Sequence, residues 1–186
     1  MSLVLGQREL SAIDEWRRSN ARLPSRSQAI RHLANRGLLV SEALDYASQA
    51  SSLSFNGNGD KVLIIDDDKT ISLVISIVLG SMGFNIVGTA STPEEAIDIS
   101  HSRRPNIIIS ETVIGRREIG VGLVNSILEN IDALAIFCTS TPEFFLTGSS
   151  PEPSYLMMKP LKVHILADVA RQAAENGNIS VSGDNR

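Results

Sequence analysis

Lys61-Val62-Leu63-Ile64-Ile65-Asp66-Asp67-Asp68 sets the terms for everything around it. Four consecutive apolar residues after a single lysine read as a strand buried on both faces. Three carboxylates stand where that strand must end. At about 4 Å and an effective dielectric near 20, each like-charge pair costs on the order of 4 kcal/mol. The cluster therefore calls for a cation, a shared proton or a solvent-facing rim. In an open parallel sheet that rim lies beyond the carboxyl ends of the strands, where sites form.

From Lys61 onward strand and helix signals alternate. The strand 61–65 leads to a helix near 69–82, with Ile71, Val74, Ile75, Val78 and Leu79 inward and Gly83 as its stop. Residues 85–90 form a second strand. Thr92-Pro-Glu-Glu95 is a capping box with proline at the first helical position, opening a helix to about Ser102. Residues 106–110 form a third strand, 121–129 a helix, 133–139 a fourth strand, 155–158 a fifth, and 161–174 a last helix. Five strands alternating with helices predict an α/β fold, a doubly wound five-stranded parallel sheet. Pro142 to Ser154 holds three prolines and leaves little room for a full helix. The domain spans 61–175, and 176–186 is expected to be a disordered tail.

The first 60 residues differ in kind. Residues 1–50 carry seven arginines and no lysine against five acids, so a net +2 arm precedes a net −6 body. Such asymmetry predicts two domains. After a short apolar run at 3–5, Leu10, Ile13 and Trp16 recur at helical spacing. Ser25-Arg26-Ser27-Gln28 behind Pro24 is a second capping box, opening a helix whose apolar face is Ala29, Ile30, Leu33 and Ala34. Gly37 could end that helix, or it could continue to Ala50. So thin a core predicts a homodimer through residues 1–50. Residues 51–60, rich in Ser, Gly and Asn, read as a linker.

No run of 18 apolar residues suggests a membrane span, and the start lacks a secretion signal. Cys138 has no second cysteine to pair with and reads as a small buried residue. A cytoplasmic location is expected. His32, His101 and His164 lack ligand spacing.

At the four strand ends stand Asp66-Asp67-Asp68, Ser110-Glu111-Thr112, Thr139-Ser140 and Lys159-Pro160. This order resembles the receiver domain of two-component response regulators over roughly 61–175. The resemblance implies a flavodoxin-like sheet of order 2-1-3-4-5, Mg²⁺ held by Asp66, Asp67 and Glu111, and phosphoryl contacts from Thr139 and Lys159. It also implies a histidine kinase or other signalling protein as partner. The family's phosphoacceptor is an aspartate; its position here is Glu111. The switch aromatic, three residues before the lysine, is here Leu156. Tyr155, one residue early, faces the other side by strand alternation. The longer glutamate moves its carboxylate by about 1.5 Å, one C–C bond. A misplacement near 1 Å can cost about a hundredfold in transfer. Poor or absent phosphorylation is expected, with Glu111 reaching toward Thr139 and Lys159.

The order strand, helix, Pro-Ser-Arg-Ser, helix over roughly 2–38 resembles the ribbon-helix-helix family. That implies Ser2 and Val4 facing a DNA groove and DNA-phosphate contacts from Ser25, Arg26 and Ser27. The combined expectation is a phosphorylation-independent receiver on a homodimeric module acting in transcription regulation. A conventional phospho-accepting regulator with a dimerisation clasp is the alternative. Asp66-Asp67-Asp68-Lys69-Thr70 also fits the Asp-x-Asp-x-Thr motif of haloacid-dehalogenase-like phosphatases, but the acids beyond Lys159 are isolated, and no enzyme activity is expected.

Overall fold

A computed structural model describes residues 5–19, 23–50, 57, 59–144 and 150–181. Two compact units divide between Ser41 and Glu42.

In the first unit, α1 (Gln7–Ser19) is followed by the start of α2 (Arg26–Ala50). The predicted capping box is made in both directions: Gln28 N donates to Ser25 Oγ at 3.2 Å, and Ser25 N to Gln28 Oε1 at 2.8 Å. Gly37 does not end α2, which continues to Ala50. Asp14 ties the two helices, accepting from Arg17 Nη1 at 2.7 Å and Arg26 Nε at 3.0 Å. Trp16 stacks on His32 with ring centroids 5.0 Å apart. Ile13 and Ala29 are buried in this unit. Burying an isoleucine contributes about 1.5–3 kcal/mol. Ordering the backbone costs about 1–2 kcal/mol per residue, so these two side chains do not stabilise the hairpin by themselves. The expected strand at 3–5 and the groove-facing Ser2 and Val4 fall at residues 1–4, outside the described residues, apart from Leu5.

The second unit carries a five-stranded parallel sheet of order β2-β1-β3-β4-β5, as the alternating pattern predicted. Its strands are β1 (Lys61–Ile65), β2 (Asn85–Ala90), β3 (Ile107–Ser110), β4 (Leu134–Thr139) and β5 (Ser154–Met158). The helices are α3 (Lys69–Ser81), α4 (Pro93–Arg103), α5 (Gly120–Leu128) and α6 (Val163–Val181). Leu63, Ile65, Ile108, Ala135 and Phe137 join Ala96, Val121, Val124 and Ile127 in one buried cluster on the α4/α5 face. The alternate residues Val62, Ile64, Ile109, Ile136, Cys138 and Met157 are buried too, on the face covered by α3 and α6. Strands without a polar face are therefore what this sheet requires.

Two boundaries differ from the sequence expectation. The linker's end is pinned: Gly57 N donates to Met82 O at 2.7 Å and Gly59 N to Gly83 O at 3.2 Å. A Cβ on Gly57 would stand 2.8 Å from Phe84 Cγ, so the chain passes there as glycine. Residues 51–56 lie outside the described residues. At the other end, helix replaces the expected tail as far as Val181. Its extension is held by Asn176 Nδ2, which donates to the Tyr155 hydroxyl. Residues 182–186 are outside the described residues. Between β4 and β5 the described residues contain a three-residue 3-10 turn, Pro142–Phe144.

Candidate functional site

Backbone ladder bonds bring the four strand ends to one level. Asp66 N donates to Ala90 O at 3.0 Å, Glu111 N to Ile65 O at 2.9 Å, and Lys159 N to Thr139 O at 2.8 Å. Ile65 pairs with Ser110 and Thr139 with Met158, so Asp66, Glu111 and Lys159 each stand one step past a paired residue. The fold thus gathers Asp66, Glu111, Thr139 and Lys159 at one rim, as read from the sequence.

Lys159 Nζ lies 2.7 Å from Asp66 Oδ2 and 2.7 Å from Glu111 Oε2. Both acids are buried, at 4% and 7% exposure. Two buried anions share one cation, and the electrostatics follow. Burial pushes the Asp66 carboxyl above its ordinary range, against the pull of Lys159. Burial acts in the same sense on Glu111, but there the Lys159 and Thr139 hydrogen bonds, the Lys159 charge and the Thr112 amide prevail. Its carboxyl is held below the usual range. Burial disfavours the Lys159 ammonium, yet Asp66 and Glu111 outweigh it and raise its pKa. Glu111 is the durable anion of the pair, and Asp66 takes up a proton first.

The second oxygen of Glu111 is also filled. Oε1 accepts from Thr112 N at 2.8 Å, Thr112 Oγ1 at 3.2 Å and Val113 N at 3.4 Å. Thr112 Oγ1 lies 2.6 Å from Thr139 Oγ1.

The other acids do not converge. Asp68 caps α3, its Oδ1 accepting from Thr70 N at 2.8 Å and Ile71 N at 3.3 Å. Asp67 is exposed, and its Oδ2 accepts from Gly115 N at 3.1 Å. Among the described residues no group of three or more His, Cys, Asp or Glu is gathered as a metal would need. The Mg²⁺ set expected from Asp66, Asp67 and Glu111 does not fit this arrangement. The Lys159 ammonium bridges the first and third, and the second faces a backbone amide.

Leu156 at the switch position is half-buried against the α4/α5 cluster. Tyr155 meets α6 on the other face. In the first unit, the expected DNA-phosphate donors serve the fold: the Ser25 hydroxyl caps α2, and Arg26 pairs with Asp14. Ser27 is exposed.

Sequence reading named Thr112 at a strand end but gave it no role, and missed Thr141 and Gly120. Thr141 Oγ1 lies 3.2 Å from Thr139 Oγ1 and 3.4 Å from Thr112 Oγ1. Gly120 N donates to Thr112 O at 2.9 Å, and a Cβ there would come 2.0 Å from Glu111 O. A threonine directly after the acceptor position was the available signal. The close approach at Gly120 had none.

No protein-family model matches the chain. The phyllosphere-induced regulator PhyR of Methylorubrum extorquens is 33% identical over 135 residues, covering 72% of this chain and 51% of that protein. The solution structure of the Erythrobacter litoralis PhyR response regulator REC domain aligns at a TM-score of 0.57 with 29% identity, over 69% of this chain and 96% of that one. The crystal structure of the anti-anti-sigma factor PhyR from Bartonella quintana aligns at 0.56 with 27% identity, over 95% of this chain and 73% of that one. The homologues are thus PhyR-type response regulators, and the sheet has the receiver-domain fold. The chain spans about half the length of the curated relatives it matches.

Proposed function

We propose that this chain is an atypical response regulator whose receiver is held in one state by its own Glu111 carboxylate rather than by a phosphoryl group. One observation carries the reading: at the acceptor position, Glu111 Oε2 is already 2.7 Å from Lys159 Nζ. The resemblance gives that lysine the task of contacting a phosphoryl oxygen, and a carboxylate supplies it with an anion permanently. Oε1 is saturated by donors from Thr112 and Val113. An attacking oxygen so engaged, and a bond longer than the family's, is poorly placed for in-line transfer.

Output runs through protein contact. A similar PhyR is described as an anti-anti-sigma factor, so the partner proposed here is a protein that restrains a sigma factor. The finer reading of residues 1–50 as a homodimeric DNA-binding module has less support. Ser25 and Arg26 are engaged within the hairpin, and the resemblance's strand falls outside the described residues. A phosphatase reading has no favourable observation: Asp66, its required nucleophile, is bound by Lys159.

The test is uptake of phosphoryl label from acetyl phosphate, with a divalent cation supplied. The wild-type chain should take up none above background. Glu111→Asp, one bond shorter, should gain at least about a hundredfold. Wild-type labelling at an ordinary receiver's rate would falsify the proposal.

A further inference from the structure

The first two turns of α3 carry a stripe that the site at the rim does not use. Lys69, Ser72, Leu73 and Ser76 recur at i, i+3, i+4 and i+7, one face of a helix. Val74, Ile75, Val78 and Leu79 make the buried packing face of the same helix. The stripe lines one side of a groove of about 460 Å³, with Thr89 and Ala90 of β2, Ser91, Glu95 of α4 and Asp66 around the rest. Small-molecule sites occupy about 300–1,000 Å³.

The serine protons of this groove are already committed. Ser72 Oγ donates to Asp66 O at 3.3 Å, Ser76 Oγ to Ser72 O at 2.7 Å, and Ser91 Oγ to Glu95 Oε2 at 3.0 Å. A hydroxyl has one proton and two lone pairs, so these three oxygens keep only acceptor capacity. Glu95 Oε2 also accepts from Ser91 N at 2.7 Å. The Ser91 amide and hydroxyl hold the Glu95 carboxyl below its ordinary range, with a smaller pull from the Lys69 charge. Glu95 is therefore an anion, and both Ser91 donors use the same one of its oxygens. Asp66 has nothing further to give: Oδ1 accepts from Asp68 N at 2.8 Å and Oδ2 from Lys159 Nζ at 2.7 Å.

A groove of acceptors beside an anion is complementary to a cation rich in donors. An ammonium has three donors and no acceptor. Leu73, 50% exposed, adds apolar surface along the same wall, which suits a methylene stem. We propose that this groove binds a small alkylammonium, with its ammonium on Glu95 and the serine oxygens and its stem on Leu73. Lys69 carries a like charge at the same groove and competes with the ligand. The site stands apart from the reading of Glu111 as a resident anion.

The experiment is an NMR titration of the full chain with 1,4-diaminobutane hydrochloride, following the amides of Ser72, Ser76, Ser91 and Glu95. These amides should shift together and saturate. Butane-1,4-diol, which has the stem without the charge, should shift none of them, and neither should potassium or magnesium chloride at matched ionic strength. Glu95→Gln should weaken binding and Lys69→Met should tighten it, each by about two- to fivefold, the reach of an exposed charge pair. Nα-acetyl-lysine methylamide distinguishes the sources of the ammonium. Tighter binding than the diamine marks a partner's lysine side chain and weaker binding a free amine, and either outcome supports the site. Groove shifts reproduced by the simple salts overturn the proposal, as do shifts spread over exposed acids elsewhere, such as Asp168 and Glu175. So does an affinity that ignores both Glu95→Gln and Lys69→Met. Phosphoryl label uptake bears on the resident-anion reading alone, so the two fail separately.

Discussion

Lys159 Nζ stands 2.7 Å from Glu111 Oε2, and the same ammonium lies 2.7 Å from Asp66 Oδ2. With two carboxylates and one cation, the site carries a net negative charge inside the sheet's rim. Removing the cation leaves two buried acids without their shared counter-charge. Breaking a buried pair from one side costs about 3–5 kcal/mol. Lys159→Met keeps the length of the side chain and should lower unfolding free energy by about that amount at neutral pH. Asp66 already has a raised pKa, so acidification should protonate it and recover part of the loss. Urea unfolding at neutral and mildly acidic pH checks this. A deficit independent of pH would point to packing instead.

Glu111→Gln separates the two acids. The folded-state pKa of Glu111 lies below its ordinary value of 4.5. Its contribution is thus fully present above 4.5 and is lost as pH falls through the lower folded value. Asp66 runs the other way. Its folded pKa lies above 3.8, so its contribution is present below 3.8 and lost as pH rises through the folded value. At neutral pH the glutamine variant should be less stable by about 2 kcal/mol, the worth of hydrogen bonds to a charged group. The gap should close on acidification, and what remains in the variant should show the Asp66 slope alone. Denaturant curves across the acid range read both. A gap that widens toward low pH would contradict the sign.

Asp14→Asn tests the helical hairpin. Hydrogen bonds from Arg26 and then Arg17 hold the Asp14 carboxyl well below the usual range. The variant should lose helical signal at neutral pH and low salt, and release Arg26 from its partner. The wild type should show the same loss only under far more acidic conditions. Circular dichroism against pH and salt measures it. The released Arg26 also makes the variant the better candidate for duplex binding at low salt, should residues 1–50 have any.

Much of this was legible beforehand because buried parallel strands leave a plain mark. Four apolar residues before Asp66, and three before Ser110 and Glu111, placed two strands and their carboxylates. The Pro105 and Thr92 signals fixed the register around them. Thr139 and Lys159 followed from strand order. What the sequence hid depends on atoms that meet across elements. Asp67 is one residue from Asp66 and chemically identical to it, yet it faces the Gly115 amide. Strand alternation at the rim, not composition, decides that. Thr112 stood at a strand end without a role because its partners, Thr139 and Thr141, are brought to it by β4. Arg26 read as a DNA-phosphate contact because its partner Asp14 is twelve residues away in another helix.

Two glycines of α5 make the sharpest mutational contrast. Gly120 opens the helix against the Glu111–Thr112 backbone: an added Cβ would come 2.0 Å from Glu111 O and 2.8 Å from Thr112 Cα. Both obstacles are backbone, so the loop holding the Glu111 carboxylate must move. Gly122, two residues on, has nothing within 4 Å of its would-be Cβ. Gly120→Ala should destabilise by about 1–3 kcal/mol, the usual range for overpacking. It should also displace the Glu111 carboxyl resonance. Gly122→Ala should stabilise by about 0.5–1 kcal/mol, because alanine loses less backbone freedom in a helix. Its Glu111 signal should stay where it was. Thermal unfolding and carbon-detected NMR on the two variants read the pair. Equal effects at both positions would show that helix propensity, and not the approach of Gly120 to Glu111, governs this corner of the fold.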